Sequence, residues 1–232
     1  MYDKRKKMAV KLHREGANII VALFLILAMV SVTAFLFIKP IVIPWIVASV
    51  SLLAFLLVLN FFRSPLRDFK GSREGVVVSS ADGTVVALEE VFEDKYLHSR
   101  AIQISVFMTV FNVHANWYPV DGTVECADYS PGRFRAAYLP KSSSENEHSS
   151  VVIKTPSGHR VLMRQIAGAI ARRIVTYAYP GCEANISSHM GFIKFGSRID
   201  IYLPADSKIL VKIGDKTTGG ITPIAYLNKT QE

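Results

Sequence analysis

Two apolar runs restrict what this chain can become before anything else is read. From Ala17 to Ile38 and again from Ile41 to Phe62 no charged residue occurs. At 1.5 Å per residue each run reaches ~33 Å as a helix, enough to cross a hydrocarbon layer. Lys39-Pro40 and Pro44 break the pattern between them, so residues 17–62 read as a transmembrane helical hairpin. Lys4, Arg5, Lys6, Lys7, Lys11 and Arg14 precede it and Arg63, Arg67, Lys70 and Arg73 follow it, while the turn holds only Lys39. The positive-inside rule then predicts a basic cytoplasmic N-terminus over 1–16, a basic linker over 63–74, and a cell-membrane protein whose remaining domain lies on the cytoplasmic side. A cleaved signal peptide would have a shorter apolar core and no second span behind it.

Of the 232 residues, about 170 follow the hairpin, an ordinary size for one domain, taken here as 75–232. The net charge of +8 and pI of about 9.5 could suit nucleic acid, but the basic residues crowd around the apolar runs, which points to an anionic membrane surface instead. Cys126 and Cys182 are too few for a disulfide framework and are expected as reduced thiols.

Past Pro65 the pattern changes to alternating polar and apolar residues punctuated by Gly and Asp, which predicts antiparallel β structure. Strands are expected at Gly75–Ser79, Thr84–Leu88, Ala101–Val106, Gly122–Ala127, Ser150–Thr155 and Arg160–Ile166. Ile166–Tyr177 carries Ala and Arg at helical spacing and is the one candidate helix, against a strand reading that Gly168 and the β-branched residues favour. Polar, Ser-rich Lys141–Ser149 reads as a loop. Asp-Gly-Thr-Val occurs twice, at 82–85 and 121–124, as a turn entering a strand. The fold class expected is mainly β: a barrel-like antiparallel sandwich with hairpins like those of lipoyl and biotinyl carriers, closed by Lys208–Ala225.

Three positions carry candidate chemistry. In Met190–Pro204 two alternating runs flank Gly196-Ser197, a residue with no Cβ followed by a hydroxyl nucleophile; on physical grounds alone such a Gly marks a bulge. His114 lies in the apolar segment Val106–Pro119, where an imidazole must find partners or lose its charge. His13, His98, His148 and His159 sit in polar surroundings and are expected to be solvated, with His189 a minor alternative to His114. Asp82 occupies the first Asp-Gly turn. Ser, His and Asp are suitable types for a nucleophile, its base and an orienting group. No glycine-rich phosphate loop, metal-spaced cluster or Gly-x-Ser-x-Gly elbow is present, and no metal is expected.

The stretch Gly-Phe-Ile-Lys-Phe-Gly-Ser-Arg-Ile-Asp-Ile-Tyr-Leu-Pro at 191–204 resembles the self-cleavage motif of the phosphatidylserine decarboxylases in their short, Phe-Gly-Ser-Arg form. Asn-Val-His-Ala-Asn at 112–116, Ala-Asp-Gly-Thr-Val at 81–85, Asn146-Glu147 and Ala167-Gly168-x-x-Ala171-Arg172-Arg173 extend the resemblance over the region from Ala81 to about Ala225. It implies cleavage between Gly196 and Ser197 into two chains, one beginning with a pyruvoyl group made from Ser197. That group would form a Schiff base with the amine of phosphatidylserine and accept the electron pair left by decarboxylation, giving phosphatidylethanolamine. It also implies His114 as the catalytic histidine and Asp82 as an active-site acid, with Asn146-Glu147 near the substrate entrance. Arg198, Arg172 and Arg173 are candidates to bind a phosphate or carboxylate, against the ordinary reading as surface arginines. Where the long bacterial form has a second histidine, three residues after the first, this chain has Trp117.

Partners expected are therefore the lipid in its anionic membrane and the chain's own cleavage products, with a homo-oligomer left open and nucleic acid excluded. Two other classes remain at this point: a Ser-His-Asp lipid hydrolase with an intact chain, and a non-enzymatic membrane-tethered barrel. The mass of the intact protein separates them.

Overall fold

The computed structural model describes residues 10–132, 146–168, 173–194 and 197–228, in two compact units divided between Leu66 and Arg67. The first holds β1 (Val10–Leu12), a short 3-10 turn (Arg14–Gly16), α1 (Ala17–Phe37), α2 (Val42–Phe61) and β2 (Arg63–Pro65). Both helices are long and apolar enough to cross a membrane. Most of their large apolar side chains are exposed rather than packed in a protein core, Leu36, Phe37 and Trp45 among them. Pro44 falls in the first turn of α2, where its missing N–H would have had no intrahelical partner. The helices meet through Phe24 against Phe55 and the edge of Phe35 on Trp45, at centroid distances of 5.6 and 5.3 Å. β1 and β2 pair antiparallel across the base, Leu12 opposite Arg63. His13, expected in solvent, is buried there, and its Nδ1 accepts from the backbone N–H of Glu15.

The second unit is built of β3 (Val76–Val78), β4 (Gly83–Glu93), β5 (Ser99–Met108), β6 (Ala115–Trp117), β7 (Gly122–Ser130), β8 (His148–Lys154), β9 (Arg160–Ala167), β10 (Arg173–Thr176), β11 (Glu183–Ala184), β12 (His189–Lys194), β13 (Ser197–Pro204), β14 (Lys208–Ile209), β15 (Lys216–Thr217) and β16 (Pro223–Tyr226). Eight strands form one curled sheet in the order β11-β7-β8-β9-β13-β5-β4-β15, a half-barrel; β10-β12-β6 and β14-β16-β3 form two further sheets. Every pairing is antiparallel.

The period of two divides each long strand between two faces. On β13, Ile199, Ile201 and Leu203 join a core with Val106 and Ile104 of β5 and Met163 and Val161 of β9. On its opposite face stand Arg198, Asp200 and Tyr202, the last packed with Tyr96, Ala101, Val152 and Leu162 in a second cluster. The two Asp-Gly turns enter β4 and β7, and at both glycines a Cβ would collide with a partner-strand carbonyl, of Phe107 at Gly83 and of Lys154 at Gly122. The repeat thus marks close backbone approach at the start of two long strands.

The expected strands are all present, several of them longer. The candidate helix is not helical in its described parts: Ile166 and Ala167 end β9, and Arg173–Thr176 is β10, paired with β12 from Arg173 opposite Lys194. β-Branched Ile174, Val175 and Thr176, with a neighbouring strand to bond, outweigh the helical spacing of Ala and Arg. The Ser-rich loop is shorter than expected, because His148 and Ser149 already belong to β8; residues 141–145 lie outside the described residues. Lys208–Ala225 does close the unit, β15 pairing with β4 and β16 with β3. Both cysteines are free thiols, and burial raises the pKa of Cys126.

Candidate active site

Ser197 is the first residue of β13, opposite Met108 on β5 and Ala167 on β9. It is fully buried, on the same face as Ile199 and Ile201, and its Oγ has no hydrogen-bond partner among the described residues. A buried hydroxyl without a partner costs about 1–3 kcal/mol in folding terms, so its presence at this position asks for a chemical reason. Gly196, the other half of the predicted cleavage pair, lies outside the described residues.

His114 is also fully buried. It sits just before β6, and its carbonyl accepts from the N–H of Ile193 at 3.2 Å, which ties it to the strand leading toward Ser197. Its Nδ1 is 3.0 Å from the Asn112 carbonyl. A carbonyl can only accept, so Nδ1 carries a proton, and in the neutral ring the lone pair is then at Nε2. Asn112 itself is held in a tight turn, its Oδ1 accepting from the Thr109 N–H at 2.9 Å and hydroxyl at 2.8 Å.

Asp82 lies at the same end of the sheet. Thr84 and Arg198 stand on either side of Phe107, so their backbones are two strand spacings, roughly 10 Å, apart. The Asp82 carboxylate is clamped by Arg67: Nη1 to Oδ1 at 2.5 Å and Nη2 to Oδ2 at 2.8 Å, while the Gly219 N–H donates to Oδ1 at 2.9 Å. Arg67 also donates to the Gly219 carbonyl at 2.6 Å, and its guanidinium lies 4.1 Å over the Trp117 ring. His189 meets Trp117 edge-on at 4.9 Å. Gly219 makes room for this stack, since a Cβ there would sit 2.7 Å from Trp117 Cε3. The described hydrogen bonds of Asp82 thus run to Arg67 and Gly219, and the bond that orients the His114 ring comes from Asn112.

On the Ser197 side of β6 lies a chain of fully buried amides. Ser149 Oγ donates to Gln165 Oε1 at 2.6 Å, and Gln165 Nε2 donates to Asn116 Oδ1 at 2.7 Å. Asn116 Nδ2 faces the Met108 sulfur at 3.9 Å. Asn146 and Glu147 adjoin the same place: Asn146 Nδ2 donates to the Ala167 carbonyl at 2.7 Å, and the Glu147 carbonyl accepts from the Ala167 N–H at 2.9 Å.

Arg198 is not a surface arginine. It is buried and forks onto Asp200, Nε to Oδ1 at 2.6 Å and Nη2 to Oδ2 at 3.1 Å, on the face of β13 away from Ser197. Beside it Arg164 bonds Tyr202 and Glu93 at 3.1 and 3.2 Å, and burial with the Asp200 charge raises the Tyr202 pKa. Arg173 is exposed on β10, and Arg172 lies outside the described residues. His148, expected to be solvated, is half-buried; burial lowers its pKa, and the charges of Arg164 and Lys95 lower it further, against the Asn146 carbonyl that raises it. His159 donates from Nε2 to the Asn228 carbonyl at 2.7 Å, since a carbonyl can only accept, whereas His98 is exposed as expected.

Arg67, Asn116, Gln165 and Ser149 are the residues that sequence reasoning passed over. In sequence Arg67 counts only as one of the charges flanking the hairpin. The other three share one available signal, a polar side chain at an inward position of an alternating strand.

Residues 54–225 match the family model described as phosphatidylserine decarboxylase. A phosphatidylserine decarboxylase proenzyme of Parabacteroides distasonis is 55% identical over 219 residues, covering 94% of this chain and all of the relative. Proteins of the same name from Bacteroides thetaiotaomicron and Cytophaga hutchinsonii are 50% and 42% identical, covering 96% and 92% of this chain and 98% and 97% of their own lengths.

Proposed function

Because the chain belongs to the phosphatidylserine decarboxylase family, we propose that it converts phosphatidylserine to phosphatidylethanolamine after cutting itself between Gly196 and Ser197. The hydrolase and the non-enzymatic barrel find no support in these relatives. The observation that carries the choice of cut is the buried Ser197 Oγ, without a partner among the described residues, on the first residue of a strand bonded on both sides.

In the cut, Ser197 Oγ adds to the Gly196 carbonyl carbon while its proton passes to a base. Collapse breaks the C–N bond and leaves an ester. Loss of the Ser197 Cα proton then expels the Gly196 carboxylate, and water replaces the resulting enamine nitrogen, releasing ammonia. His114 is the base in this reading, its Nδ1 bound to the Asn112 carbonyl so that Nε2 takes the proton. Asp82 supports the site as a fixed negative charge held by Arg67.

The residue that results is a pyruvoyl group, which supplies the electron sink for loss of carbon dioxide from an amino-acid headgroup. Position 197 suits it. Its cross-strand neighbours are Met108, with a thioether side chain, and the small Ala167. In turnover His114 would hold or return the proton at the substrate carbon, and the Asn146 side-chain amide and the Glu147 carbonyl would keep the Ala167 edge of the site in register.

The test is mass. The wild-type chain should yield two fragments meeting at 196/197, the smaller one blocked to N-terminal sequencing, and Ser197→Ala should remain a single inactive chain of about 25.7 kDa. An uncut wild-type chain with full activity would refute the reading.

The same reading has the hairpin's two apolar helices tether this chemistry to a membrane. With basic residues at both its flanks, both ends and the β unit belong on the cytoplasmic face. Protease added to sealed, right-side-out cells should leave the β unit intact and digest it only after permeabilisation; digestion in sealed cells would reverse the topology.

A further inference from the structure

Asn116 holds an amide donor with no strong acceptor. Its Oδ1 is fixed by Gln165 Nε2 at 2.7 Å, and Gln165 is fixed in turn by the Ser149 hydroxyl at 2.6 Å. At the far end Nδ2 meets only the Met108 sulfur, at 3.9 Å. A thioether accepts weakly and cannot donate, so the end of the chain facing it must be the N–H₂ end, and the whole row of amides is thereby given one direction. All three polar side chains are fully buried. Leaving a strong donor underused in such a place is costly unless something else takes it.

The register shows what is near. Met108 stands directly opposite Ser197, and same-face neighbours across an antiparallel pair have Cβ atoms about 5 Å apart. The Asn116 donor and Ser197, whose Oγ has no partner among the described residues, are therefore both neighbours of one methionine side chain. The period of two along β6 turns Asn116 away from Ala115 and Trp117, and His114 directly precedes that strand, so the base and the donor come from one short stretch of chain. Gly191 keeps the neighbouring strand close over this row: a Cβ there would lie 2.7 Å from Gln165 Nε2.

We propose that Asn116 is a catalytic residue of the self-cleavage, its Nδ2–H donating to the carbonyl oxygen of the peptide bond that Ser197 Oγ attacks. As the O–C bond forms, the carbonyl π pair moves onto that oxygen and the hydroxyl proton moves to the base. Negative charge then appears at one place where a dry, oriented amide donor is already waiting. Gln165 and Ser149 are positioning residues: they hold the Asn116 amide the right way round. This rests on the cleavage reading above, and the experiment separates the two.

Full-length chains carrying Asn116→Asp, Asn116→Ala or Gln165→Met are pulse-labelled in cells, and the rate of appearance of the two fragments is divided by the protease-resistant fraction at each time. Asn116→Asp is the isosteric variant: it still accepts from Gln165 but has no N–H to offer. Removing one such donor costs roughly 100-fold or more in rate, and both Asn116 variants should slow by that order per folded molecule. Gln165→Met should slow by a smaller factor, and Gln165→Glu, which keeps an oxygen for Ser149 but cannot donate to Asn116, should slow likewise. Folded Asn116→Asp that cuts itself at the wild-type rate overturns the assignment. A wild-type chain that is never cut would instead overturn the cleavage reading itself.

Discussion

Arg67 shows how far a residue's role can depart from its place in the sequence. It stands among the basic residues after an apolar run, where a charge usually meets lipid headgroups, yet its side chain is only 8% exposed and forks onto Asp82. Such a pair contributes little net stability when compared with an apolar replacement, but breaking it strands a charge, at a cost of about 3 kcal/mol. Arg67→Ala and Asp82→Ala should each lower the melting temperature, and the double variant should lose clearly less than the sum of the two. Additive losses would mean that the clamp is not formed in solution. The stacking of the guanidinium on Trp117 could not be read from spacing, because the two lie far apart in the chain and neither stands in a local pattern. Ser197, His114 and Asp82 could be singled out as candidates because each sits in a short motif with its own chemistry. Asn116 ends the Asn-Val-His-Ala-Asn stretch without a role of its own in the sequence reading, and Gln165 looks there like any polar residue on a strand.

At the scale of the element, alternation was a dependable guide where a strand buries mainly one face, as in β4 and β7, and an unreliable one where both faces are covered. β13 is buried on both faces nearly to its end, so Arg198, whose ordinary reading is a surface arginine, belongs with Asp200 and Tyr202 to an interior layer. The helix expected over Ile166–Tyr177 failed for a related reason: a four-residue strand such as β10 is defined by the partner beside it, which no local window contains. β8 illustrates what the interior layer does to titration. His148, at its start, has a lowered pKa in the folded chain, so below its ordinary value of 6.5 the unfolded chain binds the proton first. Stability should therefore be unaffected by this group above about pH 7 and should fall as pH drops through 6.5 toward the folded pKa. Replacing His148 by Gln should flatten that part of the acid limb in denaturant titrations at about pH 7.5 and 5.5, on either side of the ordinary histidine value; an unchanged slope would show that His148 titrates normally.

Across the whole molecule, the family motifs and the hairpin gave the outline, while the way the C-terminal part threads the sheets emerged only in three dimensions. β13 lies in the middle of the eight-stranded sheet, between β9 and β5; β15 caps the same sheet beside β4, and β16 joins another beside β3. A chain cut before Ser197 thus yields a small fragment interwoven with the large one along its length. Before the cut, unfolding is a one-molecule event that can reverse; afterwards it is a dissociation, and recovery must wait for two fragments to meet. Refolding from denaturant should be independent of protein concentration for Ser197→Ala and should fail or become strongly concentration-dependent for the processed enzyme, as followed by tryptophan fluorescence over a hundredfold dilution. With the cut proposed at Ser197, maturation would act as a ratchet: a molecule that had made its reactive group would also have given up its one-chain route back from the unfolded state.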